Sequence, residues 1–344
     1  MTRNKQIVPK IIWLILGFIL LRFIFSWLLG GRIALFAQPE AAAFLLKEQE
    51  PVVQSSPPPV TTEPIPAATE PEETTVPTVH VPEPMVMPDV PGQSRSFTSA
   101  DAAFVEMNYA AKRKPDIEAL LTQPLQWDLT GDDPSVLIFH THGTEAFTPT
   151  EDNTYQEEGG EYRTTNVDCN MLCLGEELAR LLNEAGIKTV QDRTYYDYPD
   201  YEASYDNARI GLQAQLDKYP TVKLVIDLHR DSAECEDGSQ WATNAVINGE
   251  KSAQVMLVMG TDVYYTHPNW EQNLSIALKL NAIMEKTHDG STRPLDLRKQ
   301  RFNQDLSTGA IIAEIGAAGN TQKEAMNAVS VLAEAIILLA KGSN

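Results

Sequence analysis

Cysteine is scarce in this chain, basic residues are outnumbered, and one long stretch has no aromatic residue at all. The three cysteines, Cys169, Cys173 and Cys235, are too few and odd in number for a disulfide-built scaffold. Cys169 and Cys173 lie on a predicted helix, and Cys235 sits between Glu234 and Glu236. A metal cluster of these thiols is one reading, but free or buried thiols fit the habits of cysteine better. Lys and Arg number 27 against 47 Asp and Glu, a formal net charge of -20. That excess excludes nucleic acid as a partner, because a phosphate backbone needs neutralising by Lys and Arg. Between Pro51 and Pro91 there is no Lys, Arg or aromatic residue, yet there are 12 prolines. Such a segment cannot bury enough apolar surface to offset its ordering entropy, so it is expected to be a disordered linker stiffened toward polyproline II. At about 3.1 Å per residue it reaches on the order of 130 Å.

Against these absences stands one long apolar run. Ile11 to Leu29 is interrupted only by Gly17, Arg22 and Ser26, and Arg3, Lys5 and Lys10 precede it. About 20 residues cross a hydrocarbon core, and the basic flank keeps the N-terminus cytoplasmic. Leu35-Phe36-Ala37 makes a poor cleavage site, so an uncleaved single-pass anchor in the cell membrane is expected, with the rest of the chain extracytoplasmic. The organisation expected is a cytoplasmic basic tail (1–10), a transmembrane anchor (11–29), a Pro/Glu/Thr-rich linker (30–95), an N-terminal helical extension (96–130) and a catalytic domain (131–344).

From Ser135 on, short apolar runs alternate with amphipathic ones. Strands are predicted over Val136–Phe139, Ile187–Val190, Val222–Leu228, Ala242–Ile247, Gln254–Met259 and Ala310–Ile315. Helices are predicted around Met171–Ala185, Ala208–Lys218 and Glu271–Lys286. A closing helix is expected after the capping box Thr321-x-x-Glu324. This pattern predicts an α/β fold with a mainly parallel sheet covered by helices.

Three of the strand-like runs end in metal or acid–base chemistry. Val136-Leu-Ile-Phe runs into His140-Thr-His142-Gly-Thr-Glu145, Leu224-Val-Ile-Asp-Leu runs into His229-Arg230-Asp231, and Ala310-Ile-Ile-Ala ends at Glu314. Ligands bind at the carboxyl ends of strands in open α/β sheets. Two imidazoles and a carboxylate suit Zn2+, with an open position left for water. The candidate metal ligands are His142, Glu145 and His229, with His140 and Asp168 as alternatives for the third place. Glu314, a charged residue inside an apolar strand, is the candidate general base. Arg230 is a candidate grip for a substrate carboxylate or an oxyanion, with a pairing to Asp231 as the alternative. His80, His267 and His288 read as surface residues.

At these residues the chain resembles the stage II sporulation protein P family. The resemblance lies in Val136-Leu-Ile-Phe-His-Thr-His-Gly-Thr-Glu145, in Gly175-Glu-Glu-Leu-Ala, in Ile226-Asp-Leu-His-Arg-Asp-Ser232 and in Ala313-Glu-Ile-Gly-Ala-Ala-Gly-Asn-Thr321. Ala317 and Ala318 depart mildly from the family's usual pattern after the glutamate. The resemblance implies a phosphorylase/hydrolase-like fold and a membrane-anchored, zinc-dependent N-acetylmuramoyl-L-alanine amidase acting on peptidoglycan, with cross-link endopeptidase as a second activity. It also implies work during forespore engulfment beside a partner that trims denuded glycan strands. A zinc carboxypeptidase-like exopeptidase and a non-catalytic wall-binding scaffold are the alternatives.

Overall fold

The computed structural model describes residues 97–341, apart from 126–127, 161, 233–234 and 236. The expected tail, anchor and linker lie outside the described residues. Among the described residues, no helix is long and apolar enough to cross a membrane.

The strands are β1 (Met107–Tyr109), β2 (Val136–Phe139), β3 (Thr189–Gln191), β4 (Leu224–Asp231), β5 (Ala245–Ile247), β6 (Glu250–Ser252), β7 (Val255–Gly260), β8 (Leu295–Arg298) and β9 (Ala310–Ala317). The helices are α1 (Ile117–Thr122), α2 (Met171–Glu184), α3 (Ser204–Lys218), α4 (Trp270–Thr287) and α5 (Gln322–Lys341). Seven strands form one sheet in the order β1-β8-β7-β9-β4-β2-β3, and β5 and β6 form a separate hairpin. Every neighbouring pair in the large sheet is parallel except β7 with β9. The sheet is therefore two parallel blocks, β9-β4-β2-β3 and β1-β8-β7, running in opposite directions.

Side chains alternate between faces along each strand, so sequence parity sorts the two faces. Val136, Ile138, Ile226, Leu228, Leu257, Ile311 and Ala313 join the main core, together with buried residues of α2, α4 and α5. On the other face Leu137, Phe139, Val225 and Ala310 pack against Ala208 and Leu212 of α3. Farther along, Met256, Val258 and Ile312 pack against Phe302. Asp227 and His229 share the parity of Val225 and so belong to this second face, beside α3.

Local signals explain the helix ends. Asn170 caps α2 by accepting from the Leu172 N–H at 3.0 Å, and Gly186 leaves it with φ +83°, a conformation that glycine adopts without strain. The capping box at α5 is made in both directions: Glu324 N–H donates to Thr321 Oγ1 and Thr321 N–H donates to Glu324 Oε2. Ala325, Val329, Leu332, Ile336 and Leu339 then form a stripe no more than 1% exposed. Burying each large side chain contributes about 1.5–3 kcal/mol.

The segment before β2 is tied into the same core. Its expected helices are only partly formed, because Met107–Tyr109 pairs with β8 as an edge strand. Lys279 of α4, 1% exposed, donates from Nζ to Leu120 O at 2.9 Å and to Ser275 Oγ at 2.6 Å. Ser275 Oγ also donates to Leu120 O. These bonds pin the end of α1 against α4. The strand β8 was not visible as a run, since Leu295-Asp-Leu-Arg is short and follows Pro294. The β5–β6 hairpin turns at Asn248-Gly249, both at positive φ, the pair a two-residue turn of this hand prefers.

Candidate active site

Three adjacent parallel strands, β2, β4 and β9, end at one edge of the sheet, and the candidate residues gather there. His229 and Glu314 are register partners on β4 and β9, so their side chains leave the sheet side by side on the α3 face. The register shifts just beyond them, between His229 and Asp231, and pairing resumes at Asp231 with Ala317.

That turn, His140 to Glu145, closes with Glu145 N–H donating to His142 O. Asp227 holds it to β4, accepting from Thr141 N–H at 2.8 Å and from Thr141 Oγ1 at 2.7 Å. His142 follows, its side chain 10% exposed and its ring stacked on Tyr201 at 4.6 Å with an 18° interplanar angle. The His229 ring meets it edge-on at 5.3 Å and the Tyr205 ring at 5.6 Å. His142 Nδ1 lies 4.0 Å from Asp197 Oδ2 and is buried without a hydrogen bond. Burial pushes this imidazole down to about 4, against the smaller pull of Glu145, so it is neutral at neutral pH, the form a metal ligand needs.

Glu145 is buried at the centre. Its Oε2 accepts from Arg230 N–H at 3.1 Å and lies 3.6 Å from His229 Nδ1. Its Oε1 lies 3.6 Å from Arg163 Nη2. Burial alone would raise its pKa, but Arg230 and His229 outweigh it and hold the carboxyl well below the usual range. Burial disfavours the charged form of His229 too, but Asp227 and Glu145 draw that imidazole up. Asp227 Oδ1 comes within 2.7 Å of His229 Nε2. The approach is of ion-pair length but poorly aligned for an N–H···O bond, and Nε2 has no hydrogen-bond partner. Glu314 leaves Oε2 buried and without a partner. Burial pushes Glu314 up to about 8, against the opposing pull of His229.

The alternatives for the third ligand fall elsewhere. His140 is fully buried, with Nδ1 at 3.0 Å from Leu228 O and Nε2 at 2.9 Å from Gln191 Nε2. Both ring nitrogens are thereby occupied. Its tight seat needs Gly175, where a Cβ would come within 2.6 Å of Nε2. Asp168 is exposed ahead of α2.

Arg230 is not where a substrate grip was expected. It is 1% exposed, and its guanidinium donates to Ala146 O at 2.9 Å and to Tyr162 O at 3.3 Å. It braces the turn that carries Glu145. His267 is also not a surface residue. It is 1% exposed, with Nε2 at 3.2 Å from Asn273 Nδ2. His288 is partly exposed beside Glu334, and His80 lies outside the described residues. The three thiols are free, Cys169 buried and Cys235 exposed.

Sequence reasoning missed Asp227, Asp197, Arg163, Tyr201 and Tyr205. Asp227 had a signal, standing two residues before His229 on one strand and so sharing its face. The others come from loops or the first turn of α3, where no periodicity points to them. Asp197 accepts from Thr144 Oγ1 at 2.6 Å and lies 3.5 Å from Arg163 Nη1. Arg163 lies over the Tyr201 ring at 4.4 Å. Tyr205 carries a hydroxyl whose pKa is raised by burial and by the Asp227, Glu314 and Glu145 carboxylates, so it stays protonated.

As the side chains stand, no group of three His, Cys, Asp or Glu among the described residues encloses a position for a metal ion. What suits a cation is the donor chemistry, namely the neutral His142 imidazole and the ionised Glu145 carboxylate, beside a His229 imidazole that carries a proton in the bare site and would yield it to an arriving metal ion.

A family model described as Stage II sporulation protein P matches residues 63–337. Stage II sporulation protein P of Bacillus subtilis (strain 168) is 28% identical over 216 residues, covering 60% of this chain and 51% of that one. The match thus spans about half the length of that relative. Among solved structures, the N-acetylmuramyl-L-alanine amidase Ami1 from Mycobacterium smegmatis is similar at TM-score 0.39 and 10% identity, covering 62% of this chain and 99% of that one. The N-acetylmuramoyl-L-alanine amidase AmiC2 of Nostoc punctiforme gives TM-score 0.35 and 14% identity, covering 61% and 94%. These are loose likenesses of arrangement, and the chemistry of the site rests on its own residues.

Proposed function

Because the chain belongs to the stage II sporulation protein P family, we propose that it is a peptidoglycan hydrolase of sporulation. In this reading it cleaves the amide between N-acetylmuramic acid and L-alanine of the stem peptide, and cross-link peptide bonds as a second activity. The observation that carries this reading is the convergence of His142, Glu145, His229 and Glu314 at the ends of three adjacent strands. A phosphorylase/hydrolase-like arrangement of the sheet accords with it.

Zn2+ is the cofactor this reading calls for, held by His142, Glu145 and His229. When bound, it supplies Lewis acidity toward an amide carbonyl and toward water. The protein's own groups do the rest. Glu314 takes the proton of the attacking water and hands it to the departing amide nitrogen, so one carboxyl serves as base and then acid. Its raised pKa means that it holds protons readily in the bare site. Positive charge on the neighbouring ligand set would draw it down toward the range of a base. Tyr205, protonated and facing the same carboxylates, offers a hydroxyl donor to charge developing on the carbonyl oxygen. Arg230 and Asp227 act through the turn, holding Glu145 and Thr141. With Arg230 buried against carbonyls, it cannot serve as the cation an exopeptidase would use on a free C-terminal carboxylate.

The same reading takes Ile11 to Leu29 as a single-pass anchor with the catalytic domain extracytoplasmic, and includes a glycan-trimming partner in an engulfment complex. The test is product analysis by mass spectrometry after incubating the full chain with purified sacculi and Zn2+. New L-alanine amino termini, with matching peptide-free muramic acid, are expected. Products that all retain the muramyl–alanine amide would contradict the amidase assignment.

A further inference from the structure

The second parallel block delivers a different chemistry to the other edge of the sheet. β1, β8 and β7 run antiparallel to β9, so their carboxyl ends lie opposite the candidate active site. Lys112, Arg113 and Lys114 follow β1, and Lys299 and Arg301 follow β8. Among the described residues, two of these five cations are ion-paired, Arg113 with Asp262 and Arg301 with Asp305, on a chain whose net charge is -20.

After β7 come Tyr264 and Tyr265, 56% and 60% exposed. Lys299 Nζ lies 5.8 Å from the Tyr264 ring centroid, and Arg301 Cζ lies 5.2 Å from that of Tyr265. Large exposed aromatics beside cations do not serve the core and call for an external partner. The same loop borders a shallow, open depression of about 340 Å³ lined by Asp262, Tyr264, Tyr265, Thr266, His267 and Pro268. The lining residue His267 leaves Nδ1 buried and without a hydrogen-bond partner.

We propose that this edge is a second, non-catalytic binding site for peptidoglycan, taking sugar rings of the glycan strand on Tyr264 and Tyr265. Lys299 and Arg301 would meet the carboxylates of the stem peptides. The occupant follows from shape and charge together. Tyrosine faces present flat apolar surface to the C–H faces of sugar rings, and the cations complement acidic peptides. A membrane also attracts Lys, Arg and Tyr, and sacculus pelleting that is indifferent to these residues is the outcome that would point to it. The substrate named here rests on the hydrolase reading above. The residues named for it are distinct from those of the candidate active site, although the neighbouring Phe302 packs against the Tyr205 ring at 5.9 Å.

The experiment uses the full chain in detergent. Pelleting with purified sacculi is measured for the Glu314→Gln protein, which keeps the sacculi whole, with and without Tyr264→Ala plus Tyr265→Ala. Turnover of a short soluble muropeptide is measured in the otherwise unaltered chain. Loss of both rings is expected to weaken pelleting on the order of tenfold, leaving muropeptide turnover and thermal melting unchanged. Where the double variant melts early, Lys299→Glu decides instead, since it reverses a charge without removing either ring. The expectation there is weaker pelleting with a flatter dependence on salt. Unchanged pelleting in the decisive variant overturns the proposal. A parent chain that pellets normally but turns over no muropeptide would count against the hydrolase reading and leave the binding site standing.

Discussion

The strands of β9, β4 and β2 end in imidazoles and carboxylates that turn inward, whereas those of β1, β8 and β7 end in Lys, Arg and Tyr that face water. Both edges are built by the same topological device, the carboxyl ends of parallel strands, yet their electrostatics are opposite. At the first edge, burial governs. His142 is pushed down to about 4 and Glu314 up to about 8, because each is removed from water with its neighbours already committed. At the second, Lys112, Arg113 and Lys114 are exposed and the Tyr264 and Tyr265 rings are more than half exposed. Buried groups with displaced pKa values suit chemistry, and solvated charges beside exposed rings suit reversible grip. The antiparallel seam between β7 and β9 keeps the two edges apart.

Breaking the first edge should leave the second intact, and this ordering can be tested by size of effect. His229→Ala removes an imidazole from the centre of the proposed ligand set. Elemental analysis is expected to fall from about one zinc per chain to nearly none, with peptide release abolished and sacculus pelleting unchanged. Stoichiometric zinc in that variant would remove His229 from the metal site. Asp227→Asn is a smaller change, since it keeps the shape but removes the charge facing His229 and weakens the clamp on Thr141. Partners that orient metal ligands typically contribute 10- to 100-fold in metal affinity or activity, and a loss of about that size in zinc affinity is expected. Full affinity would reduce Asp227 to a purely structural acceptor.

The smallest effect is on stability in chelator-treated protein. Glu314 has its folded pKa raised from 4.5 to about 8, chiefly by burial, so the folded state holds the proton more tightly than the unfolded one. The stability this lends is complete below about 4.5 and is lost as pH rises to about 8. Glu314→Gln, which cannot ionise, should therefore melt like the parent in acid and about a few degrees higher at pH 8. A difference that does not vary with pH would mean that Glu314 is not the group titrating.

Much of the first edge was legible in the sequence because its residues stand at the ends of strong apolar runs. Val136–Phe139, Leu224–Leu228 and Ala310–Ala313 announce buried strands, and His142, His229 and Glu314 stand out against them. Arg230 was read for its charge alone. Nothing local shows that its guanidinium turns back onto Ala146 and Tyr162, contacts that only the fold creates. His267 was misread for a similar reason, since Asn273 of α4 covers it from the next element. The second edge left little trace, because Met107–Tyr109 and Leu295–Arg298 are short strands without a long apolar run. Their pairing brings together Lys112–Lys114 and Lys299–Arg301, which lie far apart in the chain.

The most direct test of the central claim is Glu314→Gln, assayed for peptide release from sacculi and for zinc content on one preparation. The substitution keeps size and hydrogen-bonding shape while removing the base. General acid–base groups contribute on the order of 10²- to 10⁴-fold, so release is expected to fall by at least that range while zinc content stays at the parent's level. Loss of zinc together with activity would make Glu314 a ligand, and release close to the parent's rate would contradict the proposed hydrolytic site outright.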